Sequence, residues 1–139
     1  MTTPCPGGEP VADCMKRALA AADREAGQID LISAHGSATV QNGENEAAAI
    51  RSVFGENPPA IHTLKQLTGH SLGAASALEM VALTAALSRQ VKLIPHDSLD
   101  PAFGLSPRPL PDSLQRILTN AFGFGGINCS LVLECADHS

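Results

Sequence analysis

The chain reads as an α/β fold built on a mixed sheet, and three observations carry that reading. Helical and strand-like patterns alternate from Pro10 to Ser88, the signature of helices layered on a sheet. From Ser71 to Ser88 the helical pattern is apolar almost all round, as expected for a helix buried inside a fold. The last two apolar runs flank Gly123-Phe124-Gly125-Gly126. They read as a hairpin, which would add an antiparallel pair to the sheet.

Taken in order, Thr2 to Pro10 is rich in Pro and Gly and is expected to be extended. A first helix is predicted from near Pro10 to about Glu25 on the stripe Val11, Cys14, Met15, Ala18, Leu19 and Ala22, with Gly27 as its stop. Ile29 to Ala34 is a short strand, followed directly by the turn His35-Gly36-Ser37-Ala38-Thr39. A helix from about Glu44 to Phe54 is closed by Gly55, and Ala60 to Leu64 is the next strand. The apolar helix of about 71–88 follows, and Val91 to Ile94 begins another extended segment. Leu99 to Pro111, with four prolines and one glycine, is a surface loop. Leu114–Asn120 and Cys129–Cys135 are the two closing strands.

Composition bounds the function. The 139 residues, 44% apolar and 17% charged, suffice for one globular domain spanning 1–139 with its own core. A net charge of −5 without a Lys/Arg cluster argues against a nucleic-acid surface, and 3% aromatics without Trp or Tyr argues against base stacking. The four cysteines show no C-x-x-C pair and no zinc spacing, so reduced thiols in a cytoplasmic protein are expected. His62, His96 and His138 have no partners at metal-ligand spacing, and no metal site is expected. No basic segment followed by an apolar run opens the chain, so no signal peptide is expected, and no membrane span.

Two readings compete for the stretch Lys65 to Met80. Gly69-His70-Ser71-Leu72-Gly73 fits the G-x-S-x-G elbow of serine hydrolases and acyltransferases, with Ser71 as nucleophile. That elbow needs a hydrophobic strand running into it, whereas Thr63 to Thr68 is polar. The same stretch also reads as K-x-x-x-G-H-x-x-G-A-A with Glu79 nine residues after His70. In that form it resembles the beta-ketoacyl-ACP synthases, the condensing enzymes of fatty-acid and polyketide synthesis. His35-Gly36-Ser37-Ala38-Thr39 resembles the H-G-T-x-T motif of these enzymes, Glu46 falls where they carry a glutamate, and Asn120 to Asn128 matches their N-x-F-G-F-G-G-x-N. The resemblance runs over nearly the whole chain but covers only about the last third of a full ketosynthase.

The resemblance implies a thiolase-like half with a five-stranded type of mixed sheet, and a decarboxylative condensation of an acyl thioester with malonyl-ACP. His35 and His70 would donate hydrogen bonds to a developing oxyanion, and Lys65, paired with Glu79, would set the local charge. The Phe124 N–H would complete an oxyanion hole, with its ring as a gate. Ser37, Thr39, Phe122 and Gly123 would line the path of substrate. No cofactor is implied, because the substrates travel on the phosphopantetheine arm of acyl carrier protein. Plain alternatives stand beside these roles: a buried salt bridge for Lys65–Glu79, turn hydroxyls for Ser37 and Thr39, and a core phenylalanine for Phe122.

Three departures qualify the match. None of Cys5, Cys14, Cys129 or Cys135 sits at the start of a buried helix, so the cysteine nucleophile is expected outside this chain. Gly43 stands where an acid usually follows H-G-T-x-T, and Ser37 stands for Thr. A half ketosynthase would leave an apolar helix face open. The implied partners are therefore the N-terminal half bearing the cysteine, acyl carrier protein, and a second subunit in a homo- or heterodimer. The alternatives are the serine enzyme acting through Ser71 and a non-catalytic chain-length or interaction subunit.

Overall fold

The structure, a computed structural model, describes residues 7–36, 40–65, 74–89, 92–93, 108–123 and 126–136. Helix α1 (Glu9–Ala21) leads through a 3-10 turn (Ala26–Gln28) into β1 (Leu31–Ser33), followed by α2 (Val40–Phe54) and β2 (Ala60–His62). Helix α3 (Ala75–Leu87) comes next, then the strands β3 (Arg116–Phe122) and β4 (Asn128–Glu134). The four strands lie in the order β2-β1-β3-β4. β1 is parallel to both β2 and β3, and β4 is antiparallel to β3. The expected closing hairpin and mixed sheet are present.

The period-two alternation of the strands divides the core between the two faces of the sheet. Ile32, Ile61 and Leu118 point to one face, where Met15 and Leu19 of α1 and Ala47 and Ile50 of α2 cover them. Leu31, Ala60 and Ile117 point to the other, under Leu83 and Leu87 of α3. β1 is buried on both sides, which is why Leu31-Ile32-Ser33 carries no polar alternation. α1 enters close against α2 at Gly8. A Cβ at Gly8 would fall 2.3 Å from the Asn45 carbonyl oxygen, and its φ of 69° is left-handed.

Several boundaries differ from the sequence reading. α1 stops at Ala21 rather than about Glu25, because Asp23 turns left-handed at φ 53°, a conformation Asp tolerates. α2 begins at Val40, four residues before Glu44, so Gly43 lies inside the helix. Four strands are described rather than five. Of the segment 91–94, only Lys92 and Leu93 fall among the described residues, and both lie outside regular structure. Most of the loop Leu99–Pro111 also falls outside them.

The apolar helix of about 71–88 is observed over Ala75–Leu87, and it is not buried all round. Leu83, Ala86 and Leu87 are buried, but Leu78 is 46% and Val81 71% exposed. Its apolar composition serves two faces, and among the described residues nothing covers the second. Replacing Leu83 by Ala is expected to cost about 2–5 kcal/mol in chemical denaturation, while Val81→Ser stays within about 0.5 kcal/mol.

Candidate functional site

His35 follows the C-terminal end of β1, beyond the carboxyl ends of the three parallel strands, where α/β folds place their ligand sites. Its backbone is fixed by α2. The buried Glu46 carboxylate accepts the His35 N–H at Oε1 (2.8 Å) and the Gly36 N–H at Oε2 (3.2 Å). Gly36 turns the chain at φ 56°, and a Cβ there would lie 2.8 Å from Cβ of Thr63. The residue after His35 must therefore be glycine for both conformational and steric reasons.

The imidazole is fixed by β3. The backbone N–H of Phe122 donates to Nδ1 of His35 at 3.2 Å. Lys65 Nζ approaches the same atom at 3.5 Å. Nδ1 must therefore carry a lone pair, and the ring proton resides on Nε2. The Phe122 ring lies 5.3 Å from the imidazole at 52°, fixing its tilt. The result is a buried, neutral imidazole whose Nε2–H is a hydrogen-bond donor.

Lys65 and Glu79 form the expected ion pair, Nζ to Oε1 2.8 Å, with both side chains at most 5% exposed. A pair so deeply buried survives because each charge satisfies the other, and loss of either would strand an uncompensated charge. Lys65 thus joins Glu79 of α3 to the imidazole at the end of β1.

From the sequence, Glu46 was placed by its match to the glutamate of the ketosynthases. The structure places it inside α2 with no contact to solvent, serving the loop after β1. Burial pushes its carboxyl above the usual range, opposed by the N–H groups of His35 and Gly36, the Asn120 amide and the charge of Lys65. A carboxylate one turn before Ile50, on the apolar stripe of α2, was the available signal.

Of the other expected site residues, Phe122 is half-buried beside His35, and Gly123 is exposed with its N–H on the Ile127 carbonyl (2.8 Å). His70, Ser71, Ser37, Thr39 and Phe124 lie outside the described residues. Cys129 is exposed on β4, while Cys14 and Cys135 are half-buried. Among the described residues, no three His, Cys, Asp or Glu side chains converge as metal ligands, and no helix is long and apolar enough to cross a membrane.

Folded Glu46 holds its proton to higher pH than the unfolded chain does. In that window stability falls as pH rises, by up to about 1.4 kcal/mol per pH unit. The stability of the native chain relative to Glu46→Gln should therefore increase in urea titrations as the pH is lowered toward the ordinary carboxylate range.

Residues 1–97 match the family model described as "Beta-ketoacyl synthase, C-terminal domain". The chain is 37% identical to the 3-oxoacyl-[acyl-carrier-protein] synthase 1 of Haemophilus influenzae, over 93% of this chain and 32% of that protein. It is 36% identical to the chloroplastic 3-oxoacyl-[acyl-carrier-protein] synthase II of Arabidopsis thaliana, over 95% of this chain and 26% of that one. Among solved structures, it superposes on a chain of a ketosynthase in complex with its chain length factor from Xenorhabdus doucetiae. The TM-score there is 0.85 at 35% identity, covering 98% of this chain and 36% of that one. A chain from a type II PKS acyl-carrier protein in complex with its ketosynthase gives the same TM-score, 0.85, at 35% identity, covering 99% and 35%. The chain spans about a third of the length of these relatives.

Proposed function

Because this chain belongs to the beta-ketoacyl synthases, as their C-terminal domain, we propose that it supplies the two histidines and the lysine of a condensing site whose cysteine nucleophile lies outside these 139 residues. The cysteine takes the acyl chain as a thioester. Malonyl on acyl carrier protein loses CO₂, and the electron pair of the broken C–C bond forms an enolate. Its carbon attacks the thioester carbonyl, and the cysteine thiolate leaves. Negative charge gathers on thioester oxygens at each stage, and neutral donors placed beforehand lower that barrier.

The observation that carries this reading is the Phe122 N–H on Nδ1 of His35. It commits the imidazole to donate through Nε2, as oxyanion stabilisation requires. His70 is the second donor in this reading, and the Phe124 N–H, between two glycines, the third. Lys65, held by Glu79, adds positive potential beside His35. Ser37, Thr39, Phe122 and Gly123 form the path for the pantetheine arm and acyl chain. No cofactor takes part in this chemistry, and the cytoplasm is the expected compartment.

The partner follows from the open face of α3. Leu78 and Val81 face outward from an apolar helix, and the relatives carry about twice this chain's length beyond the matched region. The remaining part of a ketosynthase, bearing the cysteine, is the proposed occupant, within a homo- or heterodimer that receives acyl carrier protein.

Intact-mass spectrometry of natively purified material exposed to a short acyl-ACP tests this. The expected outcome is acylation of a cysteine on a co-purifying polypeptide, with this chain unmodified. In that assembly His35→Ala should lower condensation by about 10²–10³-fold, and Ser71→Ala should change it little. Acylation of Ser71 would replace the reading with a serine acyltransferase. Absence of any acylation in an assembled complex would favour a non-catalytic chain-length subunit.

A further inference from the structure

Ser130, on the outer strand of the hairpin, is not adjacent to His35, yet a continuous set of buried and half-buried hydrogen bonds joins them. Ser130 Oγ–H donates to Asn120 Oδ1 at 2.8 Å. The Asn120 amide N–H₂ then points the other way, toward Glu46 Oε1 (3.3 Å) and Met15 Sδ (3.5 Å). Glu46 in turn accepts the N–H groups of His35 and Gly36. We infer that Ser130 is a positioning residue for the His35 site, acting by fixing the direction of the Asn120 amide and, through it, the hydrogen bonding of the Glu46 carboxylate.

The argument rests on the asymmetry of an amide. Asn120 is fully buried, so each of its polar atoms needs a partner of the right kind. With the oxygen toward Ser130, the hydroxyl donates to it and the N–H₂ donates to a carboxylate. Flipped, the amide would set its oxygen against the Glu46 carboxylate, a repulsion that burial strengthens. The Glu46 carboxylate selects the first arrangement, and the Ser130 hydroxyl, donating to the amide oxygen, holds it there. Ser130 also pairs across the hairpin with Asn120 itself in the β3–β4 register. The same hairpin presents the Phe122 N–H to Nδ1 of His35. The imidazole and the backbone beneath it are thus referenced to one two-stranded unit.

Loss of the hydroxyl leaves the amide held by its N–H₂ contacts alone and its oxygen without a donor, so the hydrogen bond to Glu46 loosens. Its carboxylate is then harder to keep ionised, and a protonated oxygen facing the His35 or Gly36 N–H would release that turn. The charged groups that bear on Glu46 are Lys65 and, through it, Glu79, both unchanged by substitution at Ser130.

The inference rests on the condensing-site reading for its significance, but its test does not use activity. Backbone amide proton shifts of His35 and Gly36, followed against pH by NMR in the full chain or the complex it purifies in, report ionisation of the carboxylate they touch. Ser130→Thr keeps the hydroxyl, and Ser130→Val has nearly the same shape without it. The expected result is a native midpoint in Ser130→Thr and a midpoint raised by about 1 pH unit in Ser130→Val, the equivalent of one lost hydrogen bond to a charged group. Ser130→Ala should behave like Ser130→Val, and serves if the larger side chain disturbs the strand. Equal midpoints in the folded Thr and Val variants would overturn the inference. Failure of acyl transfer alone would bear on the condensing-site reading and leave these midpoints where they are.

Discussion

The arrangement depends on one buried carboxylate. Glu46 reaches from the interior of α2 to the backbone of His35 and Gly36 and takes both N–H groups. Those groups follow a strand three residues long, where the chain leaves the sheet and its backbone N–H groups need acceptors outside the ladder. Without the carboxylate the loop after β1 has no fixed starting direction, and the imidazole has no fixed position from which to meet Phe122. Burying the carboxylate carries a desolvation cost, visible in the upward push on its pKa. The three N–H donors around it offset part of that cost.

The second constraint is electrostatic. A lysine and a glutamate lie at the same depth as the histidine, and each is matched: Lys65 to Glu79, and Lys65 again to Nδ1 of His35. An imidazolium there would set an N–H against the Phe122 N–H and a positive charge beside Lys65. The geometry therefore favours the neutral ring. Pairing lowers the cost of burying these charged groups, and here it spans α2, α3 and the β3–β4 hairpin. The site can hold its form only while those elements stay packed on the sheet.

Much of this was legible in the sequence because it followed from periodicity and chemistry. The alternating helices and strands, the glycine-turn hairpin, the Lys65–Glu79 pair and the placement of His35 at a strand end were all expected. What escaped was set by tertiary contact. The early end of α1 depends on Asp23 turning left-handed, which no pattern in Arg24 to Gly27 announced. The exposed side of α3 has the same apolar composition as its buried side, because composition records that a face will be covered and not by which chain. The role of Glu46 did not follow from the pattern because its partners, the N–H groups of His35 and Gly36, are backbone and leave no mark on the side-chain sequence. The same holds for Ser130, whose significance appears only when β4 is laid beside β3.

The most direct measurement is of the His35 ring itself. Nitrogen-15 chemical shifts of its imidazole, recorded near neutral pH in the folded chain or its native complex, distinguish the three possible protonation states. The account predicts a neutral ring with an unprotonated, hydrogen-bonded Nδ1 and a protonated Nε2. A proton on Nδ1, or a fully protonated imidazolium, would contradict it. Either would mean that the Phe122 N–H does not define the ring, and that His35 is not organised to donate to an oxyanion.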